Sequence, residues 1–213
     1  MKLGIGLDLP LTTEQSQRLR RLQALFAQAC NLVAPIAREH RCWNRVALHH
    51  LTYREVRKAF PQLGSQMACN AIYAVSRASR LVYQGPRSPF NVRLVGASPL
   101  PLIRFMPEAP VYFDRHTLAL RDGKVSLFTL EGRIHCPVSV TPQQHRHLTE
   151  GRIEEIALHC RDGRHGLDFR VESDALSDRR AALARKMPAA LPDHVVIQPA
   201  ADTASGANPA QLS

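Results

Sequence analysis

The acidic-glycine pairs Asp122-Gly123, Glu131-Gly132 and Asp162-Gly163 punctuate residues 111–172. They sit between short half-apolar runs. The stretch reads VYFDRHTLALRDGKVSLFTLEGRIHCPVSV, then a polar insert, then GRIEEIALHCRDGRHGLDFRVES. Tight hairpin turns demand positive φ, which Gly adopts freely and Asp tolerates. An acidic-Gly pair between alternating runs is therefore the strongest local hairpin signal. A small, heavily turned antiparallel sheet is expected in the second half of the chain.

The first half reads differently. Residues 2–9 (KLGIGLDL) suit a short strand that Pro10 ends. Thr12 and Gln15 have the spacing of a capping box, in which each side chain satisfies the other's free backbone amide. Leu19, Leu22, Leu25, Phe26, Ala29, Leu32, Val33 and Ile36 then recur at three- and four-residue intervals, an amphipathic helix. Pro35 is expected to kink or close it. A second helix fits residues 51–59, and a third runs from near Ser65 to Gly85-Pro86. The proline-rich residues 88–110 read as a connector with one weak strand at 102–105. The tail, residues 174–213, opens with a possible short helix at 178–186. It then turns to Pro, Ala, Ser, Thr and Asn, a composition that buries too little apolar surface to offset chain entropy. It is expected to be disordered.

Charge limits the partners. The chain carries a formal net charge of +10 over 213 residues. Residues 1–173 hold 24 Lys+Arg against 14 Asp+Glu, whereas the tail holds four of each. The excess therefore lies in the part expected to fold, and most of it is Arg. The guanidinium fork suits phosphate oxygens and stacks on bases, which favours a nucleic-acid partner. A GC-rich genome would raise Arg content in the same way. The cysteines, Cys30, Cys42, Cys69, Cys136 and Cys160, form no C-x-x-C pair, so a zinc ribbon or thioredoxin-type motif is not expected. Scattered cysteines and the lack of a secretory or membrane-spanning segment suggest a soluble cytoplasmic protein with reduced thiols.

Catalytic motifs are scarce. Gly4-x-Gly6 is no dinucleotide fingerprint, and no Gly-x-Ser-x-Gly elbow occurs. Asp8 ends a segment like a metal-binding nuclease strand, but a capped helix follows where a hairpin would be needed. A plain strand fits better. His135, Cys136, His145, His147, His159 and Cys160 match no common zinc spacing. Glu154-Glu155 reads as the start of a solvated strand. No cofactor or metal is expected.

Three motifs in order carry a family resemblance. They are the Thr-x-Glu-Gln helix start, the Leu-Thr-Tyr of residues 51–53 followed by a Ser-Gln-x-x-x-x-Ala-Ile helix, and the Asp-Gly hairpin ending in Leu-x-Phe-x-Val-Glu. Together they resemble the N-terminal half of TnpB, the transposon-encoded RNA-guided DNA nuclease related to type V CRISPR effectors. The resemblance covers about residues 1–172. It implies an α+β fold: a small antiparallel wedge barrel with an inserted helical bundle, then the tail. Residues 1–10 would give the first barrel strand, 11–88 the recognition helices, 89–173 the rest of the barrel and 174–213 the tail. It further implies binding of guide-type RNA and target DNA in a prokaryotic, nucleoid-associated setting. Base pairing would supply specificity while the protein reads shape and phosphates.

By residue matching, readers of the target-adjacent motif fall on Tyr53, Ser65, Gln66, Cys69 and Asn70. Cys69 stands where a longer amide would be expected, so the motif preference would differ or be lost. Phosphate contacts are expected among Arg18, Arg20, Arg21, Arg54, Arg57, Arg77, Arg80 and Arg87. In the family the wedge leads into a RuvC-like strand of the form Gly-Val-Asp-x-Gly. Residues 173–178 (SDALSD) offer no such strand, and the other nuclease carboxylates have no counterparts. Two-metal cleavage needs several converging carboxylates, so binding without cutting is expected. Alternatives are one half of a split RNA-guided nuclease whose blade is a separate chain, a decayed or frameshifted transposon fragment, and a small DNA-binding transcriptional regulator.

Overall fold

The computed structural model describes residues 2–172 and 191–199, and shows a mixed α+β molecule. Strand β1 (Lys2–Asp8) leads into helix α1 (Thr13–Glu39). Thr12 caps α1 with the anticipated box: its hydroxyl accepts from the Gln15 amide at 3.2 Å, while Gln15 Oε1 accepts from the Thr12 amide at 3.1 Å. Pro35 does not close this helix, which continues to Glu39. Helix α2 (Arg45–Ala59) starts six residues earlier than the apolar pattern suggested, because Asn44 Oδ1 accepts the amides of Val46 and Ala47 and caps it. A 3₁₀ turn at Pro61–Leu63 leads into helix α3 (Gly64–Gln84), and a single turn, α4 (Val92–Val95), follows.

Eight further strands occur among the described residues: β2 (Leu102–Phe105), β3 (Val111–Phe113), β4 (Leu118–Arg121), β5 (Lys124–Thr129), β6 (Gly132–Pro137), β7 (Arg152–Arg161), β8 (Arg164–Glu172) and β9 (Val195–Gln198). Helix α5 (Pro142–Glu150) occupies the polar insert between β6 and β7. Hydrogen bonding groups the strands into three antiparallel sheets, ordered β1-β8-β7-β3, β2-β9 and β4-β5-β6. None closes into a barrel. The first strand of the chain pairs along its length with β8, from Lys2 opposite Glu172 to Asp8 opposite Gly166. The three long helices are thus inserted between one strand and the hairpin that receives it.

The turns expected at Asp122-Gly123, Glu131-Gly132 and Asp162-Gly163 all make hairpins, by two mechanisms. At Asp122-Gly123 and Asp162-Gly163 both residues have positive φ, 50° and 68° in the first pair and 50° and 76° in the second. Each forms a two-residue loop closed by a strand pair, the geometry whose twist matches the flanking strands. At Glu131-Gly132 only the glycine is left-handed, with φ 95°, so the chain turns at Leu130-Glu131 and Gly132 re-enters the ladder.

The disordered tail needs correction where it is described. Residues 195–198 form β9, whose Ile197 opposes the buried Ile103 of β2. Residues 174–190 and 200–213 of the tail, including the expected short helix at 178–186, lie outside the described residues. Between the strands of the large sheet, Ile5, Phe169, Ile156 and Phe113 stand opposite one another in register and form an apolar row across all four strands. The same core cluster includes Leu19, Leu22 and Phe26 of α1 and Met67, Ile72 and Val75 of α3, all buried.

Candidate nucleic-acid interface

Helix α3 is fastened to the large sheet by polar side chains on one of its edges. Near its start, Gln66 Nε2 donates to the Asp114 carboxylate. Asp114 in turn accepts the amides of His116 and Thr117 at 3.0 and 3.1 Å and shapes the β3–β4 turn. One turn further along α3, Asn70 is buried and donates to the Tyr112 carbonyl at 3.0 Å. Beyond it, Tyr73 donates its hydroxyl proton to Glu155 Oε2 at 2.6 Å, Arg77 reaches the same oxygen at 2.9 Å, and Arg170 reaches Oε1 at 3.3 Å.

The Glu155 side chain is only 9% exposed, which corrects its reading as the start of a solvated strand. A register shift between Ile153 and Glu155 is the cause: it breaks the simple alternation of β7 and sets Glu155 opposite Arg170. The surrounding rings are fixed too. Tyr73 meets Tyr112 edge to face at 5.3 Å, Arg77 lies over Tyr112 at 5.7 Å, and Arg45 of α2 covers Tyr73 at 5.1 Å. Burial pushes the Tyr112 hydroxyl up to about 12 and raises that of Tyr73 as well, the latter helped by the Glu155 hydrogen bond. Both phenols stay neutral and available as donors.

Against this seam lies a cleft of about 810 Å³. Phe113, Ile156 and Phe169 of the large sheet form its floor, and Leu118 and Val138 line the side of the three-stranded sheet. Leu148 and His145 of α5 border it. Polar groups gather at one end, where Gln66, Asp114, Arg115 and His116 meet. An apolar floor with a few convergent donors and acceptors is the usual build of a binding cleft.

Of the expected readers, Ser65, Gln66 and Cys69 are on the exposed or half-exposed side of α3. Cys69 lies close enough to Arg45, Arg57 and Asp114 to feel their charges, and burial raises its thiol pKa. Asn70 faces inward instead. Tyr53 is half-buried on α2 and stacks on His49 at 4.6 Å, with the rings 22° apart.

The expected phosphate contacts divide sharply. Arg18 is turned into the protein, donating to Thr129 Oγ1 at 2.8 Å and to the carbonyls of Glu131 and Gly132 at 2.9 and 3.0 Å. Arg21 pairs with Glu131 at 2.9 Å, Arg77 is held by Glu155, and Arg57 donates to the Pro61 carbonyl at 3.2 Å. Arg20, Arg54, Arg80 and Arg87 are exposed and form no ion pair with a described residue. Sequence reasoning missed Arg45, Tyr73, Tyr112, Asp114, Glu155 and Arg170. No local pattern marks them, since their meeting depends on the pairing of β3, β7 and β8.

Elsewhere, His165 is buried between α1 and β8. Gln23 Nε2 donates to the Glu108 carbonyl, so its Oε1 accepts from His165 Nε2–H at 3.1 Å, and the Ser16 hydroxyl donates to Nδ1 at 3.3 Å. Burial lowers the imidazole pKa to about 4. Among the described residues no group of three or more His, Cys, Asp or Glu side chains comes together as metal ligands. The chain matches no protein-family model, and no curated protein matches it.

Proposed function

We propose that the chain is a nucleic-acid-binding module of the TnpB-like recognition-plus-wedge kind, gripping a structured guide-type RNA and adjoining target DNA without cutting either. The observation that carries the reading is the topology: β1 pairs with β8 along its whole length, with α1, α2 and α3 inserted between them. On this reading the three sheets together form the wedge, and the inserted helices form the recognition part. The three sequence motifs support it, as does a charge excess of +10 dominated by Arg. The half-open cleft at the start of α3 supports it further, because Gln66, Asp114 and Arg115 offer donors and acceptors beside apolar walls that suit an unstacked base.

The proposal places the protein in a prokaryotic cytoplasm and assigns it recognition alone. Fluorescence anisotropy with a labelled RNA hairpin, a DNA duplex of equal length and single-stranded DNA tests it. The expected outcome is submicromolar RNA binding that weakens steeply with salt. Purified protein that carries no RNA, and binds none below micromolar concentration at physiological salt, would overturn the proposal. Preferential binding of duplex DNA as a dimer would instead favour a transcriptional regulator.

A further inference from the structure

A second groove, of about 620 Å³, lies at the corner where α1 gives way to α2, and none of its lining residues belongs to the cleft described above. His40, Arg41, Trp43, Asn44, Arg45 and Arg80 are among the residues that line it. No lining residue is acidic; Glu39, the adjacent acid in the chain, is not among them. The first turn of α2 also lacks an acid. Arg41, Arg45 and Arg80 make no ion pair with a described residue. Positive charge is therefore gathered here and left uncompensated by the described residues.

The corner is also rigidly built. Arg41 adopts a left-handed backbone, φ 46°, and its guanidinium donates to the carbonyls of Gly96 at 2.8 Å and Ser98 at 3.1 Å. Those acceptors are neutral, so they fix the fork without cancelling its charge. Trp43 is held from two sides: its carbonyl accepts from Ser76 Oγ at 2.7 Å, and its ring lies 5.3 Å from Tyr83. Tyr83 is itself anchored by donating to the Pro101 carbonyl at 2.7 Å. The amides of Val46 and Ala47 are taken up by Asn44, so α2 contributes the positive end of its dipole but not those two donors.

Guanidinium groups recognise phosphate by paired donors, and an indole face recognises a base by stacking. From this combination we propose that the groove is a binding site for a nucleoside phosphomonoester. Arg41 and Arg80 take the dianionic phosphate, and the exposed side of Trp43 takes the base. The ligand is either a free mononucleotide or the phosphorylated end of a strand, which share that chemistry.

Trp43 is the single tryptophan of the chain and so reports on its own site. Titration of the full chain with AMP should change its emission saturably, and adenosine should not. Inorganic phosphate should compete with AMP. Arg80→Ala should weaken AMP binding about tenfold, the loss of one charge-assisted contact, and Arg80→Lys should retain part of it. Arg104→Ala, an exposed cation on β2, should have no effect. An equal response to adenosine, or equal affinities for the Arg80→Ala and Arg104→Ala proteins, would overturn the site. Tighter binding of a 5′-phosphorylated oligonucleotide than of its 5′-hydroxyl twin assigns the site to a strand end. Equal binding of the two strands alongside AMP binding assigns it to a free nucleotide. AMP binding with no RNA binding at all would sink the RNA-gripping proposal and leave this site standing.

Discussion

The seam between α3 and the large sheet and the outer faces of α1 and α2 are both rich in Arg, yet they use it in opposite ways. In the seam, Arg77 and Arg170 converge on one buried carboxylate, and Tyr73 completes its hydrogen bonds. On the outer faces, Arg20 and Arg54 point to solvent and form no ion pair with a described residue. The lesson is that net charge does not measure what is available to a ligand. Cations already matched inside the fold add stability and specificity of packing. Only the unmatched ones can release counterions from a nucleic acid.

The sharpest way to break this comparison is to remove the seam's carboxylate. Glu155→Ala would leave the partly buried Arg77 guanidinium, the exposed Arg170 and a phenol without their shared acceptor. Removing one partner of a buried ion pair costs about 3–5 kcal/mol, and the 24% exposure of the Arg77 side chain places the expected loss at the low end. Urea denaturation measures it. Glu155→Gln, which keeps hydrogen-bonding capacity but not charge, should fall between. A loss of less than about 1 kcal/mol, the range of an exposed pair, would show that the seam behaves like the outer surface.

A second test uses pH on the other polar seam, where His165 joins β8 to α1. The imidazole titrates near 4 in the folded protein, depressed by burial from an ordinary value of 6.5. Between those values the unfolded chain binds the proton and the folded one does not. Stability is therefore complete above about pH 6.5 and declines as pH falls toward 4. With each unit worth about 1.4 kcal/mol, the total is about 3 kcal/mol. His159 and His194 are lowered too, chiefly by burial, and add to the same trend. Denaturation midpoints measured across this window should fall with acid in the native protein and more gently in His165→Gln. Parallel pH profiles for the two proteins would remove His165 from the account.

These two seams also show which parts of the structure were readable in the sequence. The α1 cap and the hairpins were legible because each is written within four residues: Thr12 with Gln15, or an acid with the next glycine. The same Thr-to-Gln spacing recurs at Thr141 and Gln144, where it starts α5. That helix went unread because it buries no residue and so has no apolar stripe. Strand β9 was hidden for a related reason: its four residues stand in a polar tail, and only the distant β2 explains them. Glu155 and the pinned arginines depend on helices docking against strands far away in sequence, and one bulge in β7 reverses the alternation that a reader would use.

A smaller effect is expected at Arg18, which lies on α1 beside Arg20 and Arg21 and seemed equally suited to phosphate. It fastens α1 to the β5–β6 hairpin through Thr129, Glu131 and Gly132. Arg18→Ala should destabilise the protein by about 1–2 kcal/mol, from hydrogen bonds made by a charged group. It should leave the salt dependence of RNA binding unchanged at temperatures where the variant stays folded. A lowered salt slope with native stability would reverse the assignment and move Arg18 to the outer class.

Arg54 should behave as the mirror image. It is exposed on α2, next to Tyr53 and its stacked partner His49, and forms no ion pair with a described residue. Arg54→Ala should therefore change stability by no more than about 0.5 kcal/mol, as for other exposed positions. If α2 faces the nucleic acid, the slope of log K against log salt should fall by about 0.7–0.9, the yield of a single phosphate contact. Combining Arg54→Ala with Arg20→Ala should double the change, because screened contacts on separate helices add. An unchanged slope in the double variant, with RNA still bound, would place the nucleic acid away from α1 and α2. Binding would then centre on the cleft beside Gln66 and Asp114, where Gln66→Ala should weaken RNA binding while leaving the slope intact, since Gln66 carries no charge to release a counterion.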